Sequence, residues 1–169
     1  MADIDSARAK ASHLVAQYEV KTAPVPVERI ARAQGVKIQY SPFDDELSGM
    51  AFIKDGVPII GINSLHHPNR QRFTIAHELA HVELHRDQLE GTVHVDKGSL
   101  RRDMLSAAGT DSTEMEANAF AAELLMPRAL LEAALDGRIL DFENEELVEG
   151  LAKKFRVSVV ALHHRLQND

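Results

Sequence analysis

The segment from Phe73 to His85 constrains this chain more than any other. Its apolar residues recur at spacings of three and four, and neither proline nor glycine interrupts it, so the pattern predicts a helix with one face in the core. On that helix His77 and His81 are about 40° apart around the axis, and both imidazoles can reach one point. Glu78 lies beside the first histidine. This His-Glu-x-x-His spacing is typical of zinc hydrolases, in which the histidines bind the metal and the glutamate acts as general base.

A helix whose histidines merely form hydrogen bonds in the core would show the same five residues, so a third ligand matters. A catalytic zinc usually has three protein ligands and a water. Glu114 and Glu116 are the candidates on a second helix predicted over residues 111–125. We choose Glu114, because Asn118 lies one turn later on the same face and can orient a ligand by a hydrogen bond. Glu116 is rotated by about 200° and is expected to face solvent. Glu114 would also suit a purely structural place at a helix start.

Composition narrows the class of protein. The chain has 169 residues, a formal net charge of −7, 5% aromatic residues, no tryptophan and no cysteine. One domain is expected at this length. The negative charge and few aromatic residues disfavour a broad nucleic-acid surface, and the lack of cysteine leaves histidine and carboxylate as metal ligands. An acidic N-terminus and the lack of a long apolar run predict a cytoplasmic protein without a membrane partner.

Hydrophobic periodicity predicts an α+β fold, with a small three-stranded, mostly antiparallel sheet packed on helices. Further helices are expected over 4–18, 26–34, 127–135, 144–155 and 158–166, and strands over 36–40, 48–54 and 57–63. Residues 86–110 are expected to form a long surface loop with one short strand at 92–95, which would line a cleft. The predicted helix caps are Asn69, Asp111 or Ser112, and Ser158. In the 111–125 helix and just after it, the residues expected in the core are Met115, Ala119, Ala122, Leu125 and Met126.

The domain prediction divides the chain into a core of residues 1–136 and a C-terminal helical segment, 137–169, packed on it. The segment has a helix-turn-helix pattern, and its last part carries four basic residues: Lys153, Lys154, Arg156 and Arg165. Residues 141–149, however, contain five acidic ones. We therefore do not expect direct DNA binding.

Two longer motifs are Arg72–His81 and Glu114–Pro127, and shorter ones lie at 26–31, 47–50 and 151–158. Together they resemble the ImmA/IrrE family of metallo-endopeptidases, and the resemblance extends over nearly the whole chain. The resemblance implies a gluzincin-like, zincin-like fold with metal ligands at His77, His81 and Glu114 and with Glu78 as catalytic acid and base. It also implies Zn²⁺ as cofactor, with Mn²⁺ possible, and a helix-turn-helix repressor or antitoxin as the protein partner that is cleaved.

Other parts of the predicted site stay open at this point. A strand over residues 49–53 could hold an extended substrate by main-chain hydrogen bonds. His94, Arg101 and Tyr40 are candidates for stabilising an oxyanion, although each would more often be structural or exposed. His85 drifts about 80° around the helix from His77 and is expected at the rim of the site or at the helix end. The alternative function is a metal-bound regulatory protein that binds a repressor or DNA without cutting.

Overall fold

The alternation of helix and strand patterns in the sequence appears directly in the computed structural model, which describes residues 1–97 and 111–168. Within those ranges the fold is α+β, as predicted, with eight helices and four strands. In chain order they are α1 (Ile4–Gln17), α2 (Val27–Ala33), β1 (Lys37–Ser41), β2 (Gly49–Lys54), β3 (Val57–Asn63), α3 (Pro68–Leu84), α4 (Arg86–Leu89), β4 (His94–Asp96), α5 (Ser112–Leu125), α6 (Arg128–Leu135), α7 (Glu145–Phe155) and α8 (Val159–Gln167).

The sheet corrects the prediction of three mostly antiparallel strands. It has four strands in the order β1-β3-β2-β4, and β1 runs parallel to β3 while β2 is antiparallel to both its neighbours. The short strand predicted at 92–95 joins the sheet as β4, on the outer edge of β2. Only the β2–β3 pair is joined by a tight turn, so local sequence reveals that pairing alone. Part of the loop predicted over 86–110 is the helix α4. Residues 98–110 of that predicted loop lie outside the described residues.

Strand β2 lies close to helix α3 at Gly49. A Cβ atom built at this residue would lie 2.6 Å from the carbonyl oxygen of Gly61 and 2.6 Å from the Thr74 methyl carbon. Carbon contacts are favourable only at about 3.5–4 Å, so the position requires glycine. This close contact brings the β2 edge beside the face of α3 that carries the histidines.

Helix α5 packs against both α1 and α3. Ala117 and Ala121 are fully buried, and their small side chains let the helices approach closely. The prediction that Met115 lies in the core was wrong, because this side chain is 45% exposed. Glu114 and Asn118 are polar residues on the inward face of α5. A prediction that assigns the inward face from apolar residues alone is therefore wrong for this helix. The buried positions of the predicted core set are Leu125 and Met126, whereas Ala119 and Ala122 are only partly buried.

The caps of the helices follow from short polar side chains. Asp111 and Ser158 cap α5 and α8, as predicted, each accepting a hydrogen bond from a backbone N–H of the first turn. The predicted cap Asn69 was wrong. His67 caps α3 instead, because its ring nitrogen accepts from the Asn69 N–H and Pro68 occupies the first helical position.

The C-terminal helices are joined to α5 by a buried ion pair. Arg165 Nη2 donates to Glu123 Oε1 over 3.0 Å, and Arg165 Nε donates to the Met126 carbonyl over 3.1 Å. The second oxygen of Glu123 accepts the backbone N–H of Arg128 over 3.0 Å. We call Arg165, Glu123 and these two backbone groups the tail clamp. The predicted domain boundary between residues 136 and 137 stays a prediction.

Over the residues that the structure describes, no helix combines the length and the apolar character needed to cross a membrane.

Candidate metal centre

Helices α3 and α5 and strand β4 bring four ligand-type side chains together. His77 and His81 come from the buried face of α3, Glu114 from the first turn of α5, and His94 from β4. One ligand atom of each lies within 4.8 Å of those of the other three. The structure thus brings together the three side chains that the sequence predicted as metal ligands, with His94 as a fourth candidate donor.

The carboxylate of Glu114 lies at the centre of this cluster. Its Oε2 is 3.0 Å from His77 Nε2, and its Oε1 is 3.1 Å from His81 Nε2 and 2.6 Å from His94 Nε2. Burial would raise the pKa of this carboxyl, but the three histidines outweigh burial and hold the pKa well below its usual range. Glu114 is therefore an anion that faces three imidazole nitrogens.

Asn118 fixes the orientation of His77. Its side-chain oxygen accepts from His77 Nδ1 over 2.9 Å, the contact expected from its place one turn after Glu114. His77 Nε2 lies 3.0 Å from Glu114 Oε2 and donates to it, and it is the His77 nitrogen that would bind an ion placed in the cluster. Histidines that bind metals commonly donate their other N–H to such an acceptor.

A chain of two further side chains orients His81. His85 Nε2 lies 3.2 Å from Glu116 Oε1, and a carboxylate can only accept, so this nitrogen carries a proton. Nδ1 of His85 then accepts from His81 Nδ1 over 3.0 Å, which leaves the Nε2 lone pair of His81 facing the cluster. His85 is also the C-cap of α3, at the helix end as predicted. The prediction that Glu116 faces solvent missed this contact.

Glu78 lies beside the four donors and outside their set. Its side chain is fully buried, and Oε2 accepts from His94 Nδ1 over 2.9 Å. Oε1 has no hydrogen-bond partner among residues 1–97 and 111–168. A buried carboxylate oxygen without a partner is costly unless a ligand or a proton fills its place.

His94 is the site residue whose place the sequence prediction underestimated. Burial lowers its pKa, but hydrogen bonds and the charges of Glu114 and Glu78 outweigh burial and raise it to about 10. Asp96, two residues later, has a carboxylate within 4.8 Å of ligand atoms of His77 and Glu78. Alternate residues of a strand share a face, so the pattern His94-x-Asp96 was the signal available in the sequence.

The other two oxyanion candidates lie elsewhere. Tyr40 is 45% exposed, and its hydroxyl donates to Glu28 Oε1 over 2.6 Å on the surface. Arg101 lies outside the described residues.

The donor set fits a divalent transition-metal ion. Three imidazole nitrogens and one carboxylate are ligands that zinc prefers, and each histidine Nδ1 has its own partner. His81 Nε2 is buried, and within the part of the chain that the structure describes it makes no hydrogen bond, although Glu114 Oε1 is 3.1 Å away. A cation among these four residues would give that nitrogen a partner and balance the Glu114 charge.

This arrangement, with a His-Glu-x-x-His helix and a carboxylate from a second helix, defines the metallopeptidase type of site. A family model described as the IrrE N-terminal-like domain, Peptidase_M78, matches residues 31–167. The chain therefore belongs to the Peptidase_M78 family, which includes the ImmA/IrrE proteins that the sequence resembles. A comparison with curated proteins finds no match.

Among solved structures, a Mycobacterium tuberculosis transcriptional regulator is similar in fold, with a TM-score of 0.64 and 15% sequence identity. The similarity covers 96% of this chain and 46% of that protein. This chain thus spans less than half the length of that regulator. At this identity the comparison supports the fold alone.

Proposed function

We propose that this protein is a zinc-dependent endopeptidase of zincin-like fold that cleaves a helix-turn-helix (Xre-type) repressor or antitoxin and so relieves repression. The observation that carries the proposal is the convergence of His77, His81 and Glu114 from two helices, with the buried carboxylate of Glu78 beside them. Membership of the Peptidase_M78 family over residues 31–167 supports peptide-bond hydrolysis. Such an enzyme would act in the cytoplasm, where repressors bind DNA.

The residues that would hold the metal are His77, His81 and Glu114. When bound there, zinc would supply positive charge that polarises a peptide carbonyl and acidifies a water. Zinc is preferred over manganese because the donors are mostly imidazole nitrogens.

Glu78 is the residue that moves protons in this proposal. Its Oε1 has no hydrogen-bond partner within the described ranges and can take a proton from the attacking water, while His94 Nδ1 holds Oε2 in place over 2.9 Å. The same oxygen then delivers the proton to the leaving amine, so Glu78 ends the cycle as it began, ionised.

The substrate proposal rests on the ImmA/IrrE resemblance, which extends over nearly the whole chain. The direct test incubates the full chain, loaded with zinc, with the repressor encoded beside its gene. A discrete fragment is expected, and a chelator should abolish it. Glu78→Gln should slow cleavage by about 10²- to 10⁴-fold, because only the proton transfer is removed. Metal content must remain at the wild-type level in that variant. An intact repressor under all conditions would overturn the proposed substrate.

A second candidate function is favoured by one observation, the place of His94. A site with four protein donors is typical of structural zinc, whereas catalytic zinc keeps one position open. His94 Nε2 lies with the other donor atoms, 2.6 Å from Glu114 Oε1. In this alternative the metal-bound protein binds a repressor or DNA without cutting, and Glu78→Gln leaves regulation in the cell unchanged.

A further inference from the structure

Strand β4 occupies the sheet edge at which an extended substrate was expected. Its three residues pair with β2 in antiparallel register, with Asp96 opposite Gly49 and His94 opposite Ala51. The other edge of β2 is already paired with β3. Peptides that join a sheet need an edge with free main-chain groups. A substrate outside β4 would lie one strand spacing, about 4.8 Å, further from β2 than β4 does.

The same strand also fills the donor set. His94 Nε2 lies within 4.8 Å of the ligand atoms of His77, His81 and Glu114. Its Nδ1 donates to Glu78 Oε2, so the histidine is held with Nε2 directed at the cluster. One three-residue strand therefore meets two requirements of a bound peptide: main-chain pairing on β2 and a polar group at the metal position.

We propose that β4 is an internal occupant of the active site: its main chain takes the substrate's place on β2, and His94 is the fourth metal ligand of a closed resting state. Peptide cleavage then requires β4 to leave β2, which frees the pairing positions of residues 49–51 and one metal position together. The inference rests on the proposed peptidase function, but its ligand claim concerns metal binding and is measured without substrate.

The first experiment compares wild type with His94→Ala, both as full chains loaded with Co²⁺, whose visible absorption reports the ligands. Azide is added as a small anion that binds only where a metal position is open. We expect azide to change the spectrum of His94→Ala and to leave that of wild type unchanged. Metal affinity, measured by chelator competition, should fall by about 100-fold or more, because losing a direct donor should exceed the roughly 10- to 100-fold cost of losing an outer partner.

The matched control is His164→Ala, since His164 is exposed on α8. It should behave as wild type in both measurements. Equal azide responses and equal metal affinities in wild type and His94→Ala would overturn the fourth-ligand proposal.

The second experiment tests the movement of β4 and does not depend on the stability of His94→Ala. The chain has no cysteine, so Met50→Cys with Val95→Cys adds one defined pair, directly opposite each other on β2 and β4. Opposite residues in an antiparallel pair have Cα atoms about 4.5–5.5 Å apart, within the range that a disulfide spans. The disulfide should slow metal release to a chelator at least about tenfold relative to the reduced protein, since access needs β4 to open. The two single-cysteine variants should show no effect of oxidation.

The outcomes separate the two proposals. Equal metal release from the oxidised and reduced forms would overturn the moving strand. With the repressor as substrate, oxidation should also suppress cleavage, and cleavage at an equal rate by both forms would again overturn it. Failure of every form to cleave any repressor would contradict the proposed function, while the azide and metal-release results would still decide the role of β4.

Discussion

Two buried polar clusters lie at opposite ends of α5, and they differ in how completely their groups are paired. In the tail clamp, Arg165 donates to Glu123 and to a backbone carbonyl, and Glu123 accepts a backbone N–H with its second oxygen. In the candidate metal centre, three histidine Nε2 atoms face the two oxygens of Glu114, and His81 Nε2 is left without a hydrogen bond within residues 1–97 and 111–168.

The difference indicates different roles. A buried ion pair whose atoms are all satisfied holds elements together, and removing one partner leaves a charge stranded in the interior. A buried cluster that contains a polar atom without a hydrogen bond, here His81 Nε2, is destabilising by itself and calls for a ligand. The tail clamp should therefore control folding stability, and the metal centre should control ligand binding.

The largest expected effect is on the tail clamp. Arg165→Met should lower the free energy of unfolding by about 3–5 kcal/mol, because the Glu123 carboxylate stays buried without its partner. Urea denaturation in the presence of a chelator measures this. Arg128→Ala is the control, since its ion pair with Glu132 has side chains 63% and 70% exposed and should contribute at most about 0.5 kcal/mol. If Arg165→Met is as stable as wild type, the tail clamp does not control folding stability, and the proposed difference in role between the two clusters is wrong.

The next effect concerns the metal centre. Zn²⁺ at a free concentration 100 times its dissociation constant should raise the unfolding free energy of wild type by about 2.7 kcal/mol, because the folded state alone presents the assembled site. Glu114→Ala should lose this gain at the same metal concentration. The exposed carboxylate variant Glu132→Ala should keep it. Denaturation with and without zinc measures all three proteins, and an undiminished gain in Glu114→Ala would contradict the assignment.

A smaller effect is expected from His85, which orients a donor without being one. His85→Ala should weaken metal binding by about 10- to 100-fold, or about 1.4–2.7 kcal/mol, because His81 loses the acceptor for its Nδ1 proton. Chelator competition measures the change, with the exposed His164→Ala as control. Unchanged affinity would show that His81 keeps its orientation without this neighbour.

The smallest effect on metal affinity should come from Glu116, the outermost residue of the hydrogen-bonded series Glu116, His85, His81. Glu116→Gln keeps an oxygen that can accept from His85 Nε2 but removes the charge, so metal affinity should fall less than about tenfold. The exposed Glu149→Gln should leave affinity unchanged. A Glu116→Gln effect larger than that of His85→Ala would contradict the order Glu116, His85, His81 inferred from the hydrogen bonds.

The sequence was sufficient for those parts of the site that helix periodicity controls. His77 and His81 are placed by their spacing on one helix, and Glu114 and Asn118 by theirs on another, so their convergence needed only the packing of α3 on α5. The nine other predicted helices and strands were within about two residues of their observed bounds, because local periodicity controls them as well.

The parts that depend on long-range pairing were not predictable in this way. The parallel pairing of β1 with β3 and the docking of β4 on β2 leave no turn motif in the sequence. His94 reaches the cluster only through that docking, and the contact of His85 with Glu116 joins residues 31 positions apart. The exposed place of Met115 has a related cause, because the inward face of α5 is partly polar.

The narrow gap at Gly49 has a consequence for the evolution of this site. The residue lies opposite Asp96 in the β2–β4 register, and a Cβ atom there would meet the Gly61 carbonyl on β3 and the Thr74 methyl group on α3, so β2, β3 and α3 meet there with no spare volume. A single added methyl group would push β2 away from Gly61 and Thr74. Strand β4 pairs with β2, so His94 would move with it. Gly49→Ala changes no charge and no donor atom, yet it would change the geometry of the metal position by displacing the strands.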